Sequence, residues 1–176
     1  LTGRNNVSRS LGFTLIELVI TIMILSILAI SVIPKIVDFS KDARIAMVKS
    51  EATALKSGVS LARQKWRLLG SPGSKDARDD VQLWGTGTSG QVDFNIEGWP
   101  AQSYSLGDSV LTTDGPDDCL SVYSVLVQDG DAKAGLSEDA QFIVTKPVAC
   151  TYTLVADPTL SFTYQPLTGE VNFVEN

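Results

Sequence analysis

From Phe13 to Ile33 the chain is apolar at nearly every position, and Glu17 is the one formally charged residue in the stretch. A helix of that length crosses a hydrocarbon layer of about 30 Å, so the segment reads as a membrane span. Pro34 follows at once; it removes a helical hydrogen bond and crowds the preceding turn, which predicts a kink or a local loosening. Beyond it the pattern becomes a stripe. Val48, Ala52, Leu55, Val59, Ala62, Trp66 and Leu69 recur at steps of four and three, one face of an amphipathic helix that is expected to be buried against a sheet. Gly70 and Ser71-Pro72-Gly73, with Arg67 in the last turn, predict its end at Leu69. A helix from Phe13 to Leu69 would span roughly 85 Å, more than a small globule needs, so half of it is expected in a membrane or among neighbouring subunits.

The rest of the pattern is mixed. Residues 71–90 are rich in Gly, Ser and Asp and read mostly as loop, with a short apolar patch at Val81-Gln82-Leu83-Trp84. Val92-Asp93-Phe94-Asn95-Ile96 alternates as a strand does, and Gly98-Trp99-Pro100 breaks it. Asp114-Gly115-Pro116-Asp117-Asp118 carries the marks of a helix start, with Cys119-Leu120, Tyr123 and Leu126-Val127 continuing to about Gln128. Phe142–Val144, Val148–Val155, Leu160–Tyr164 and Val171–Val174 are β-rich runs separated by proline- and glycine-bearing turns, the pattern of an antiparallel meander. The fold class predicted is α+β: a long N-terminal helix packed on a C-terminal antiparallel sheet.

Charge and composition narrow the chemistry. The 176 residues carry a net charge of −6 and no histidine, so the usual general base, triad member and commonest metal ligand are missing, and no motif organises the remaining carboxylates, lysines or cysteines for catalysis. The chain therefore reads as no enzyme, with no cofactor and no metal. The acids at 114–118 and Asp129-Gly130-Asp131 match no EF-hand spacing and read as capping and solvation. From Lys35 to Arg78 there are ten Lys and Arg against four acids, whereas from Asp79 to Asn176 two Lys face fifteen acids. A basic stem and an acidic head follow, which argues against nucleic acid as a partner. Trp84 and Trp99 read as packing residues, with surface recognition of sugar or protein as the alternative.

Glu17 needs a separate account, because a carboxylate deep in hydrocarbon costs roughly 2.5–3.5 kcal/mol and normally has a partner or a function. No Lys or Arg lies between Arg9 and Lys35, so the span itself offers none. Arg4 and Arg9 precede the run, which keeps that end cytoplasmic and turns the rest of the chain outward. No Ala-x-Ala-like site follows the run, so any processing site falls before it.

Gly12 followed by FTLIELVITIMILSILAISVIP resembles the leader junction and N-terminal helix of type IV pilins and pseudopilins. The resemblance implies a leader at residues 1–12, cut between Gly12 and Phe13 by prepilin peptidase, with N-methylation of Phe13. It implies a transmembrane and filament-core half-helix at 13–40, and a periplasmic head at 41–176 whose half-helix ends near 69. It gives Glu17 a role in meeting the positive N-terminus of a neighbouring subunit, and Pro34 a role as a helix kink. Partners implied are other pilin subunits, prepilin peptidase, an inner-membrane assembly platform, and membrane lipid before assembly. The implied location is the bacterial inner membrane, then an extracellular pilus.

Cys119 and Cys150 are the only cysteines, and both fall in the half expected to face an oxidising compartment, so a disulfide is expected. Closing the loop between them would stabilise the head by about 3–4 kcal/mol in the chain-entropy picture. The resemblance supports a clamp of this kind in the C-terminal region. The function implied is that of a structural subunit of a type IV pilus, serving adhesion and surface attachment; the alternative is a pseudopilin of a type II secretion system. The cysteine pair tilts the resemblance towards pili, and the Cys-Thr-Tyr-Thr-Leu run with Phe-Thr-Tyr-Gln-Pro-Leu-Thr-Gly-Glu-Val is similar to minor pilins of the mannose-sensitive haemagglutinin type.

Overall fold

The structure, a computed structural model, describes residues 13–103, 111–127 and 133–176, with the side chains of 30–38 excepted. The expected leader at 1–12 with Gly12, the helix end at Gln128, and Asp129-Gly130-Asp131 lie outside the described residues. The chain divides into two compact units, one ending at Ala43 and one running from Arg44 to Asn176.

Helix α1 (Leu15–Leu68) is 54 residues long and continues through Pro34. Its C-terminus closes as the sequence suggests. The Gly70 amide donates to the Arg67 carbonyl at 3.0 Å and the Ser71 amide to the Trp66 carbonyl at 3.1 Å, the paired bonds of a Schellman cap. Gly70 has φ 86°, a left-handed conformation in which a glycine pays no Cβ penalty. Lys65 and Arg67 in the last turn face the negative end of the helix dipole.

In the second unit the strands follow as β1 (Val81–Gln82), β2 (Gln91–Phe94) and β3 (Pro100–Ser103), then helix α2 (Pro116–Val127), then β4 (Ala134–Gly135), β5 (Phe142–Thr145), β6 (Cys150–Leu154), β7 (Leu160–Gln165) and β8 (Glu170–Glu175). Strands β5 to β8 form the expected meander, and β4 adds a short parallel edge beside β5. Two features differ from the sequence reading. Val81-Gln82, placed in loop, is a strand, and Pro100–Ser103, whose proline the sequence pattern assigns to a strand-breaking turn, is another; with β2 they form a separate three-stranded antiparallel sheet. Both are too short for alternation to register, and each is held by pairing with β2. The α+β class and the helix packed on a C-terminal antiparallel sheet, as in type IV pilins, are present.

The apolar stripe of α1 serves two cores. Val48, Ala52, Leu55 and Val59 pack with Val122 and Tyr123 of α2 and with Phe142, Tyr152 and Phe162 of the larger sheet. Ala62 and Trp66 pack instead with Val81, Val92 and Phe94 of the smaller sheet and Val125 of α2. Leu69, past the end of the helix, is half exposed. Gly58 sits where α2 comes closest; a Cβ there would lie 2.8 Å from the Leu126 carbonyl oxygen, so only glycine admits this approach.

Inside the larger core the rings of Tyr152 and Phe162 stack at 4.7 Å, and Phe142 meets Phe162 edge-on at 5.3 Å. The buried tyrosines then use their hydroxyls as ties. Tyr152 donates to the Cys119 carbonyl and Tyr164 to the Pro100 carbonyl, each at 2.7 Å, joining the larger sheet to α2 and to the smaller sheet. Burial raises the pKa of both phenols, which keeps them donors. Tyr123 donates to Glu51 Oε2 at 2.9 Å, while Lys133 Nζ holds Glu51 Oε1 at 2.8 Å. A carboxylate this buried is tolerable because both oxygens are engaged.

Leu55→Ala is expected to destabilise the head by about 2–5 kcal/mol, whereas Leu61→Ala, on the exposed face of the same helix, should stay within about 0.5 kcal/mol. Urea midpoints of the two variants check this; comparable losses would contradict the placement of the stripe.

Candidate functional site

At the start of α1 the residues Thr14-Leu15-Ile16-Glu17 form a reciprocal capping box. Glu17 Oε2 accepts from the Thr14 amide at 3.2 Å and from Thr14 Oγ1 at 3.1 Å, and Thr14 Oγ1 accepts from the Glu17 amide at 3.3 Å. Two of the orphan amides of the first turn are satisfied in this way, with a negative charge at the positive end of the helix dipole. All three contacts leave Glu17 Oε1 without a partner among the described residues. The sequence reading missed Thr14, although a Thr followed three positions later by Glu is the signal for this box.

The turns that follow are uncovered. Phe13, Leu15, Ile16, Leu18, Ile22 and Met23, and the large apolar side chains on to Leu28, are all exposed. The polar groups between them turn back on the helix: Thr21 Oγ1 donates to the Leu18 carbonyl at 2.7 Å and Ser26 Oγ to the Ile22 carbonyl at 2.6 Å. A hydroxyl satisfied in its own helix makes no demand on an apolar surrounding. Glu17 is therefore the one ionisable group presented along this face. Among the described residues no helix is long and apolar enough to cross a membrane; the expected span to Ile33 runs past Ala29, the last described side chain of the run.

The other expected site residues fall as follows. Phe13 is the first described residue and highly exposed. Pro34 lies within α1, and its side chain is outside the described residues. Cys119 and Cys150 form a disulfide with their Cα atoms 5.4 Å apart. Both are fully buried in the larger core and join the first turn of α2 to the first residue of β6. Trp84 donates through Nε1 to the Val125 carbonyl at 3.0 Å, and Trp99 lies across Arg63 at 4.4 Å, so both are packing residues.

One acidic grouping was not legible in the sequence. Carboxylate oxygens of Asp79, Asp80 and Asp93 lie within 4.8 Å of one another, a spacing that a hard cation accepts. Asp93 sits between core residues Val92 and Phe94 and is itself buried, with Oδ1 accepting the Asp80 amide at 2.7 Å. Burial pushes its carboxyl up to about 6 and the charges of Asp79 and Asp80 add to this, against the pull of the Asp80 amide and the Gln102 side chain. The acids singled out in the sequence, at 114–118, act as expected in capping: Asp118 Oδ2 accepts the amides of Asp114 at 2.6 Å and Gly115 at 2.9 Å.

The geometry is that of an uncovered apolar helix start with a capped glutamate on its first turn, followed in sequence by a disulfide-closed unit. Residues 7–33 match the family described as Prokaryotic N-terminal methylation motif. The chain thus carries the signature of type IV pilins and pseudopilins, which are structural subunits and not enzymes. The motif implies processing by prepilin peptidase, membrane anchoring before assembly, and assembly with other pilins. No curated protein and no solved structure matches the chain.

Because the Asp93 carboxyl titrates above its ordinary value of 3.8 in the folded state, the folded form binds the extra proton between the two values. Its contribution to stability is present below about pH 4 and lost as pH rises through about 6, by on the order of 3 kcal/mol. Asp93→Asn, which keeps an acceptor for the Asp80 amide, is expected to remove that loss and raise stability above pH 6. Denaturation midpoints measured from pH 4 to pH 7 should flatten; an unchanged slope would assign the effect to other groups.

Proposed function

We propose that this chain is a subunit of a type IV pilus, cut between Gly12 and Phe13, N-methylated at Phe13, held by its N-terminal helix in the inner membrane, and then extracted into a helical filament for surface attachment. The observation that carries the reading is the uncovered apolar face from Phe13 to Leu28 with Glu17 as its one ionisable group. Such a face is equally at home in lipid or in a bundle of similar helices, so transfer between the two costs little. Within the bundle Glu17 gains a charged partner. Its Oε2 is occupied in capping, so Oε1 is the atom that meets the methylated amine of a neighbour, and opposite charges attract strongly in a low-dielectric bundle.

On this reading residues 1–12 are the leader, 13–40 the filament-core half-helix and 41–176 the periplasmic head. The buried disulfide favours a pilus, and a type II secretion pseudopilin is the second reading because the same N-terminal motif serves both. The test is N-terminal peptide mass analysis of sheared surface filaments and of membranes, with wild type beside Glu17→Ala. A chain beginning at methylated Phe13 in the sheared fraction, lost from that fraction in Glu17→Ala yet retained in its membranes, is the expected outcome. Processed chain confined to the cell envelope would favour the pseudopilin, and a chain that keeps Gly12 would overturn both.

A further inference from the structure

The head is acidic, yet cations converge on one cavity. From Asp79 onward the sequence holds two lysines, Lys133 and Lys146. Lys133 is engaged by Glu51. Lys146 instead lines a cavity of about 700 Å³ together with Lys75 and Arg78, and its Nζ donates to the Val148 carbonyl at 3.2 Å, with no carboxylate partner among the described residues. Glu97 and Asp114 also border this cavity. Among the described lining residues three cations face two carboxylates.

Arg78 is the unusual member. It is 8% exposed, and it is fixed from both sides by β2: the Phe94 amide donates to the Arg78 carbonyl at 2.9 Å, and Arg78 Nη1 donates to the Phe94 carbonyl at 2.8 Å. Nε is buried without any acceptor, and no salt bridge to Arg78 exists among the described residues. A buried guanidinium with an unmet donor and no salt-bridge partner is costly. With Nη1 occupied and Nε buried out of a ligand's reach, Nη2 is the donor left to face the cavity, and it can make one charge-assisted hydrogen bond to a carboxylate oxygen. The edge of the cavity is apolar: Ile96, Val148 and Leu167 line it and are all strongly exposed.

We propose that this cavity binds a small organic carboxylate of sugar-acid size, with the carboxylate on Arg78 and Lys146 and the carbon skeleton against Ile96, Val148 and Leu167. Arg78 and Lys146, two cationic donors, suit a monoanion, and the apolar edge suits a carbon skeleton that inorganic phosphate lacks. The volume falls within the range of small-molecule sites, about 300–1,000 Å³. The inference stands apart from the pilus reading, because it rests on the head alone.

The test is calorimetric titration of the detergent-solubilised full chain with glucuronate, glucose and inorganic phosphate. Saturable glucuronate binding is expected, with glucose and phosphate each at least about tenfold weaker and with Lys146→Gln weakening glucuronate by about tenfold. Arg78→Gln should weaken it further. Since that variant also touches the β2 contact, near-ultraviolet circular dichroism establishes whether it is folded, and Lys146→Gln on its partly exposed turn decides the matter if it is not. Absence of saturable glucuronate binding, equal binding of glucose, stronger binding of phosphate, or undiminished glucuronate affinity in Lys146→Gln would each overturn the proposal.

Discussion

Everything in the head is assembled on one row of side chains. Val48, Ala52, Leu55, Val59, Ala62 and Trp66 leave α1 on a single face, and both sheets and α2 take their positions from it. The row is long enough to serve two cores in succession because a helix presents a residue to the same side every three or four positions without turning away. Neither sheet has a second layer of its own. The smaller one, with strands of two to four residues, would not hold together in water without Trp66 and Ala62 beneath it and Val125 of α2 beside it. Burial on the stripe is thus the common source of order, and the tyrosine hydroxyls and the Glu51–Lys133 contact refine positions that the stripe has already set.

The N-terminal turns of the same helix obey the opposite rule. There the apolar residues surround the helix instead of occupying one face, and the hydroxyls of Thr21 and Ser26 are returned to its own backbone. A helix apolar all round has no preferred neighbour among the strands of a small domain, and suits surroundings as apolar as itself. Pattern width along one continuous helix therefore separates the part that builds a domain from the part left for other molecules. Glu17 interrupts that uniformity at its first turn, and its bond to Thr14 shows how one carboxylate can serve as a helix cap while one oxygen stays available.

Much of this was readable from the chain. The stripe, the Gly70 terminus, α2 and the four long terminal strands all carry periodic or turn signals strong enough to place them, because burial on one face leaves a regular trace. Of the three-stranded sheet only the central strand left a trace, in the alternation from Val92 to Ile96. Val81-Gln82 offers two residues, Pro100–Ser103 follows a turn-rich Gly-Trp-Pro, and both become strands only through pairing with Gln91–Phe94. At the N-terminus, Gly12, Phe13 and Glu17 stood out as a motif, whereas Thr14 did not, since its part is visible only in the hydrogen bonds of the first turn. The Arg78 cavity was hidden for a further reason: Lys146 is distant in sequence from Lys75 and Arg78 and joins them only through the fold.

The disulfide has a mechanical meaning as well as a thermodynamic one. For any protein placed under tension, as the proposed pilus role would place this one, what matters is how much chain a pull can draw out of the fold. Cys119 and Cys150 enclose 31 residues of separation, which fully extended would amount to about 100 Å of slack. With the bond closed that length is unavailable to an external load, and force entering at β6 passes through the sulfurs to the first turn of α2 without unravelling the segment between them. Even if its noncovalent contacts give way, the head can then lengthen only by the chain outside that loop.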